Sequence, residues 1–339
     1  MESNLSFVRC GVIFAFLALL VVQCNFGFLP VAQKISLTVL TPWTLYALRS
    51  LAGALVFQIA YQVWRWRRRD LGVDSGSSLL TSRQYLFLSF LGIASNQFLL
   101  ILALSFTQAM ATVIMVPSIT LFTFLFAIVL KKEAFTWARA FTLGLGGVGV
   151  LVLMGDSLHT MVSGMGARAL LGNILCLISA LAYALYLVLS RDSVRRIPPL
   201  EFTSRLFSYS LVWVVIFLGL GYFLVPHETW TEFWWNSPVH PLAGKATGPS
   251  NLNLIAVLSF IVAGPTVLNY FLNLWSLQHL PASTVSGFIS LQTLIGAAAS
   301  SVFLHEKLKP TYGVAALCIL GSVLLLSFQT FLQKKQVQV

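Results

Sequence analysis

Apolar residues recur along this chain in long runs broken by short polar stretches, not in the alternation of a half-exposed strand or the striped spacing of a helix on a watery surface. A helix needs about 20 residues to cross a hydrocarbon core, with its main-chain polar groups satisfied internally. Runs of that kind are read at 10–29, 42–63, 84–106, 108–130, 136–154, 169–190, 200–225, 252–278, 282–304 and 310–332. The third and fourth meet at Phe106-Thr107-Gln108, and the eighth and ninth at His279-Leu280-Pro281. Each pair is expected as a tight hairpin, because one fused helix overshoots a core of roughly 30 Å. The pattern predicts an all-α polytopic membrane protein with ten transmembrane helices.

Charge decides the orientation. With the amino terminus inside, fifteen Lys and Arg fall in inner segments, against five in outer ones: Lys34, Arg168, Lys245, Lys307 and Lys309. The positive-inside rule therefore puts both termini in the cytoplasm. Composition agrees with a lipid solvent, at 58% hydrophobic and 9% charged residues, against about 25% charged in soluble domains. The net charge of +11 is spread between apolar runs and not along one helical face, which points to lipid head groups and away from nucleic acid. Cys10, Cys24, Cys176 and Cys318 fall inside apolar runs without metal-like spacing and read as small core residues. The first run lacks a clear cleavage site and is taken as a span, not a signal peptide. The loop from about Pro226 to Asn251, with Trp230, Phe233, Trp234 and Trp235, is expected at head-group level; a lid over the outer mouth is the alternative.

An internal repeat is legible. Glu133 and Glu306 both lie between a fourth and a fifth span of a five-span unit, 173 residues apart. The same offset carries Asn96 onto Asn269, Phe98 onto Phe271, Ala109 onto Ala282 and Thr120 onto Thr293, and a second offset, 156, carries Pro42 onto Pro198 and Arg49 onto Arg205. An odd number of spans per unit forces two inverted five-helix repeats, bounded at 8–154 and 169–332.

At these residues the chain resembles the EamA family of the drug/metabolite transporter superfamily. The likeness shows in Cys24-Asn25-Phe26-Gly27-Phe28 before Lys34, in Pro42 followed by Arg49, in Val116-Pro117-Ser118-Ile119-Thr120 leading to Glu133, and in Leu291-Gln292-Thr293 leading to Glu306. Ser95-Asn96-Gln97 and the Val116–Thr120 stretch are most similar to the plant nodulin-like, walls-are-thin branch, which is associated with amino acids, auxin and related metabolites. The resemblance implies a central cavity lined by spans 1, 3, 4, 6, 8 and 9, with alternating access around it.

Polar side chains at bilayer depth should face a cavity or a neighbouring helix. Asn96 and Asn269 are expected to face each other across the pseudo-two-fold axis, as solute contacts or as a helix-to-helix pair. Asn269, Asn273 and Ser276 share one helical stripe and read as a cavity wall. Ser283, Ser286, Ser290 and Thr293 form a similar stripe, for which close packing is the alternative, and Gln292 falls off it toward solute. Gln97, Gln23, Asn25, Tyr183 and Tyr186 complete the expected lining. Pro117 and Pro265 free the carbonyls of Val113 and Ile261 and are candidate hinges. Glu133 and Glu306 read as structural anchors near helix amino termini. Arg49 and Arg205, near span ends, can snorkel to the interface, and Arg49 can alternatively meet an anionic solute.

No Asp or Glu lies mid-span, which favours facilitated diffusion or exchange over a carboxylate-gated pump. No glycine-rich nucleotide loop occurs, and the histidines, His159, His227, His240, His279 and His305, lie at span ends or in loops, without the His-Glu-x-x-His pattern of a metalloenzyme. The reading is thus a carrier of amino acids or related compounds, not an enzyme, in the plasma membrane. It needs no cofactor or metal, and its partners are a small organic solute and membrane lipid, with room for a homodimer. Phosphate-sugar or nucleotide-sugar exchange is the alternative within the superfamily; a receptor, scaffold or intramembrane enzyme is the alternative outside it. Cysteines introduced into the two tails should both be protected from an impermeant thiol reagent applied outside the cell, and labelling of one tail alone would rule out an even number of spans.

Overall fold

A main chain that cannot turn to water closes its hydrogen bonds along itself, and every expected run up to residue 304 does so. The computed structural model describes residues 2–70, 80–132, 135–162, 167–224 and 251–305, with 310, 313, 314, 317, 318, 321, 322, 325 and 329 beyond them. Helix α1 is Glu2–Ser36 and α2 is Pro42–Asp70. Helix α3 runs through Ser82–Ser89, Phe90–Ser95 and Asn96–Phe106, and α4 through Ala109–Met115 and Ser118–Val129. Then come α5, Trp137–Val162, α6, Ala167–Val194, and α7, Pro199–Leu224. Helix α8 comprises Asn251–Ile261, Val262–Leu268 and Asn269–His279, and α9 comprises Ala282–Gly287 and Ile289–Leu304. No strand occurs among the described residues. Within them, α1 to α4 and α6 to α9 each contain a stretch long and apolar enough to span a membrane, eight in all, while α5 has a shorter apolar core at Ala140–Gly149.

Helix ends follow local chemistry. Thr81 and Gln84 form a capping box at the start of α3, the Thr81 hydroxyl accepting from the Gln84 amide and the Gln84 side chain accepting from the Thr81 amide. Pro42 and Pro199 open α2 and α7, where a missing N–H costs nothing. Helices α4 and α9 stop at residues with positive φ, Lys131 at 53° and His305 at 54°, the left-handed turn that ends many helices. The Thr107-Gln108 and Leu280-Pro281 turns form the two expected hairpins.

Several helices outrun their expected bounds. Helix α1 passes Pro30 and continues to Ser36, because Lys34 in its last turn is anchored: its Nζ donates to the carbonyls of Leu104 at 2.6 Å and Thr107 at 2.9 Å at the end of α3. Helix α2 carries on through the Arg65–Arg69 cluster, which keeps good helix formers winding beyond the apolar stretch. The aromatic loop after Pro226, Glu133 and Glu306 lie outside the described residues.

The neighbours obey a rule. Helix α1 packs on α8 and α9, and α6 packs on α3 and α4; α2 lies along α7 and also meets α8, while α7 also meets α3; α4 touches α9. Exchanging α1 to α4 for α6 to α9 reproduces the same set of neighbours. The described residues near 321 to 329 lie against α5, where Gln329 Nε2 donates to Thr142 Oγ1 at 2.8 Å.

The irregularities also come in pairs at the 173-residue offset. The π-helical turn Phe90–Ser95 in α3 corresponds to Val262–Leu268 in α8, and the break of α4 after Met115 corresponds to that of α9 at Phe288. Only one member of each pair contains a proline, Pro265 in α8 and Pro117 in α4, so proline alone does not cause these bends.

Apolar side chains such as Phe223, Val215 and Phe141 cover the outside, which suits lipid. Inside, two glycines permit close helix approach. A Cβ at Gly27 in α1 would stand 2.6 Å from Ile295 Cγ2 in α9, and one at Gly92 would stand 2.5 Å from the ring of Tyr186 in α6. Gly92→Val should therefore destabilise the protein by about 1–3 kcal/mol through overpacking. Gly144, where a methyl on the Cα would meet nothing within 4 Å, should gain about 0.5–1 kcal/mol as Ala; thermal unfolding in detergent compares the two.

Candidate functional site

Near the middle of the bundle the helices leave a cavity of about 50 Å³. Asn96, Gln97, Tyr183, Asn273 and Gln292 line it, together with Arg49, Ser179, Cys176 and Tyr270 and apolar side chains such as Phe26, Ile119 and Ile289. Helices α1, α3, α4, α6, α8 and α9 all contribute, as the resemblance implies, and α2 adds Arg49. The volume is room for about four water molecules, well below the roughly 300 Å³ or more of a metabolite site.

The π turns supply the polar frame. In α3 the turn exposes the Gly92 carbonyl, which accepts the Tyr270 hydroxyl of α8 at 2.7 Å. That hydroxyl in turn accepts from Gln97 Nε2 at 3.1 Å. Gln97 and Tyr270 are themselves 173 residues apart, so these two repeat mates are joined directly. In α8, Pro265 has no N–H for the carbonyl of Ile261, and the Thr266 hydroxyl donates to that carbonyl at 2.8 Å. Arg49 Nε donates to the same hydroxyl oxygen at 3.1 Å.

A crossed pair of bonds joins α4 and α9. The Thr120 hydroxyl donates to the Ser286 carbonyl at 2.6 Å, and the Thr293 hydroxyl donates to the Val113 carbonyl at 3.3 Å. Both donors and both acceptors are related by the 173 offset. The second bond meets the carbonyl that Pro117 frees, so neither proline leaves an open acceptor behind it.

Asn96 and Asn269 do not form the helix-to-helix pair that was one of their two expected roles. Each instead binds the first helix of the other unit: Asn96 Nδ2 donates to Ser179 Oγ at 3.3 Å, while Ser179 Oγ donates back to the Asn96 carbonyl at 3.1 Å. Asn269 accepts from Asn25 Nδ2 at 3.0 Å and donates to the Val22 carbonyl at 3.1 Å. The π turn places the next register, Gln97 with Tyr270, in mutual contact. Asn25 and Asn269 stand outside the lining, and Asn273, which donates to the Tyr183 hydroxyl at 3.3 Å, carries that stripe into the cavity.

The two arginines diverge. Arg49 does not snorkel: it is 2% exposed and lines the cavity. Arg205 pairs with the buried Glu201 at 2.9 Å, with its guanidinium 5.9 Å from the Tyr85 ring centroid. Gln23 is buried away from the lining, with neither side-chain polar atom hydrogen-bonded, and Tyr186 packs on Gly92 behind the wall. Ser283 and Ser286 are fully buried, and Ser286 bonds within its own helix, in line with the close-packing alternative. Cys24 corrects an expectation, since it is exposed on the outer surface of α1 rather than in the core.

Toward the end of the bundle that holds Leu280-Pro281, Tyr186, Leu187, Leu274, Leu277, Val285 and Phe288 fill the interior. Lys132 of the α4 end is paired with Asp192 of α6, and Gln278 Nε2 donates to the Val194 carbonyl at 2.6 Å. Apolar packing and these two links occupy that end of the bundle. A second hollow of about 330 Å³, between Phe28, Val31, Ile35, Val257, Phe260 and Phe303, lies among apolar side chains on α1, α8 and α9 and offers no polar group to recognise a solute.

Two segments of the chain, 9–155 and 170–328, match the family model described as the EamA-like transporter family. The chain belongs to that family. Its fold is also similar to that of a solved structure titled "Crystal structure of protein", with a TM-score of 0.64 and 16% identity over 93% of this chain and 97% of the other. No match was found among curated proteins. Membership makes this an integral membrane protein of a transporter family, and the matched segments contain all the lining residues.

Among the residues of this EamA-like site, sequence reasoning missed Tyr270, Ser179 and Thr266. Tyr270 was readable, since the offset that relates the two asparagines places it opposite Gln97; Thr266 had no such signal, because its role depends on which helix crosses α2. Tyr270→Phe should leave the Gly92 carbonyl and the Gln97 amide without their partner and cost about 1–3 kcal/mol. A shift in thermal unfolding no larger than that of the surface variant Cys24→Ser would show that this link contributes nothing.

Proposed function

We propose that this EamA-like protein is a ten-span carrier that moves small organic metabolites by alternating access between two inverted five-helix units, 8–154 and 169–332. The observation that carries the reading is the direct bond between the repeat mates Gln97 and Tyr270 on the wall of a mid-bundle cavity. Two related units that share a polar lining, with paired bends beside it, suit rocking about a central site. The paired breaks in α4 and α9 and the π turns in α3 and α8 are the natural places for that motion. Pro117 and Pro265 act there as hinges.

Both tails lie in the cytoplasm, so the packed end that holds Leu280-Pro281 is the inner one and the conformation is closed to the cell interior. The plasma membrane is the proposed location. The solute is an amino acid or a related compound with an apolar body, in keeping with the nodulin-like branch, since rings and aliphatic side chains surround the few polar groups. Asn96, Gln97, Tyr183, Asn273 and Gln292 contact it, while Asn25 and Asn269 hold the wall. Transport is by facilitated diffusion or exchange. Exchange of phosphate sugars would call for several lining cations, and Arg49 alone lines the cavity among the described residues.

A labelled-metabolite screen in proteoliposomes tests the reading. Gln97→Leu and Asn273→Leu should each lower flux of the carried solute by about tenfold or more, the loss of one good polar contact, while Val215→Ala on the outer surface leaves it unchanged. Undiminished flux in both cavity variants would remove these residues from the path.

A further inference from the structure

Arg49 is the anomaly of the cavity. It is a buried cation at the wall, and the carboxylates with described side chains are engaged elsewhere, Asp192 by Lys132 and Glu201 by Arg205. A guanidinium taken out of water without a counter-charge is strongly unfavourable. Its orientation is nevertheless set. The Thr266 hydroxyl gives its proton to the Ile261 carbonyl at 2.8 Å, so its oxygen is left to accept from Arg49 Nε at 3.1 Å. With Nε held in that way, the end of the fork that carries the two Nη groups is the edge available for a planar, two-oxygen anion.

The opposite polarity lies close by in the lining. Gln97 commits its Nε2 to Tyr270, and its Oε1 is buried without a hydrogen-bond partner. An acceptor left open in a low-dielectric cavity takes an N–H or O–H donor. We propose that the solute of this carrier bears one carboxylate, bound end-on by Arg49, and a hydrogen-bond donor, N–H or O–H, bound by Gln97 Oε1. This assignment rests on the carrier reading above and narrows it: solutes without an anionic group leave Arg49 uncompensated, and a phosphate dianion exceeds the single charge on offer.

The test is uptake by the full chain in proteoliposomes of labelled phenylalanine, indole-3-acetate, glucose, choline and glycerol 3-phosphate, followed by competition with phenylalaninamide and indole-3-acetamide. Phenylalanine or indole-3-acetate should be carried, and the matched amide should compete at least about tenfold more weakly, the discrimination expected of a charge-assisted pair. Arg49→Gln should abolish that ratio. A merely structural arginine would alter thermal stability but leave the ratio where it was. Should Arg49→Gln fail to fold, Arg49→Lys, which keeps the charge and loses the fork, should weaken carboxylate competition about tenfold at unchanged amide competition. Uptake confined to glucose, choline or glycerol 3-phosphate would overturn the assignment and leave the carrier reading standing. Absence of uptake for every probe would overturn both.

Discussion

A carbonyl that loses its helical partner inside a membrane has no water to replace it, and the interior of this protein is organised around that constraint. The π turn in α3 frees Gly92, Pro265 removes the α-helical partner of Ile261 and leaves it the wider π bond, and Pro117 frees Val113. Each freed oxygen is taken by a hydroxyl: Tyr270, Thr266 and Thr293 respectively. Two of the three bonds cross from one unit to the other. The bends are thereby also the points at which the halves are tied together, and the cavity sits among them.

This arrangement explains why the polar groups are few and concentrated. A hydroxyl that donates to a freed carbonyl keeps a lone pair, and that lone pair orients the next group: the Tyr270 oxygen receives Gln97, and the Thr266 oxygen receives Arg49. The chain of bonds therefore leads from a backbone defect to a side chain on the cavity wall. In a low-dielectric interior such links hold one geometry strongly, and they leave the unpaired edges of Gln97 and Arg49 as the chemically open positions. The apolar residues that fill the rest of the bundle supply volume and sealing, as in the plug of Tyr186, Leu274, Leu277 and Phe288.

The symmetry between the halves is one of register more than of residue. Thr120 and Thr293 preserve both position and role, and so do the π turns. Arg49 and Arg205 preserve position only: one is drawn inward by Thr266, the other by Glu201 in its own helix. Such divergence makes the cavity lopsided in charge, which a symmetric pair of units could not provide.

The apolar runs, the two hairpins and the 173-residue offset were all legible in the sequence, because each depends on residues close in the chain or on a repeated pattern. Asn96, Gln97, Tyr183, Asn273 and Gln292 could be read as lining residues for the same reason: polar groups are scarce at bilayer depth and must face inward. The structure alone decided which of them meet. The π turns rotate the helix segments beyond them, so that Gln97 and not Asn96 reaches its repeat mate, and the crossing of α2 over α8 draws Arg49 away from the interface. Those outcomes depend on how separate helices pack, where a fraction of a turn exchanges one neighbour for another, and a linear pattern carries no record of that rotation.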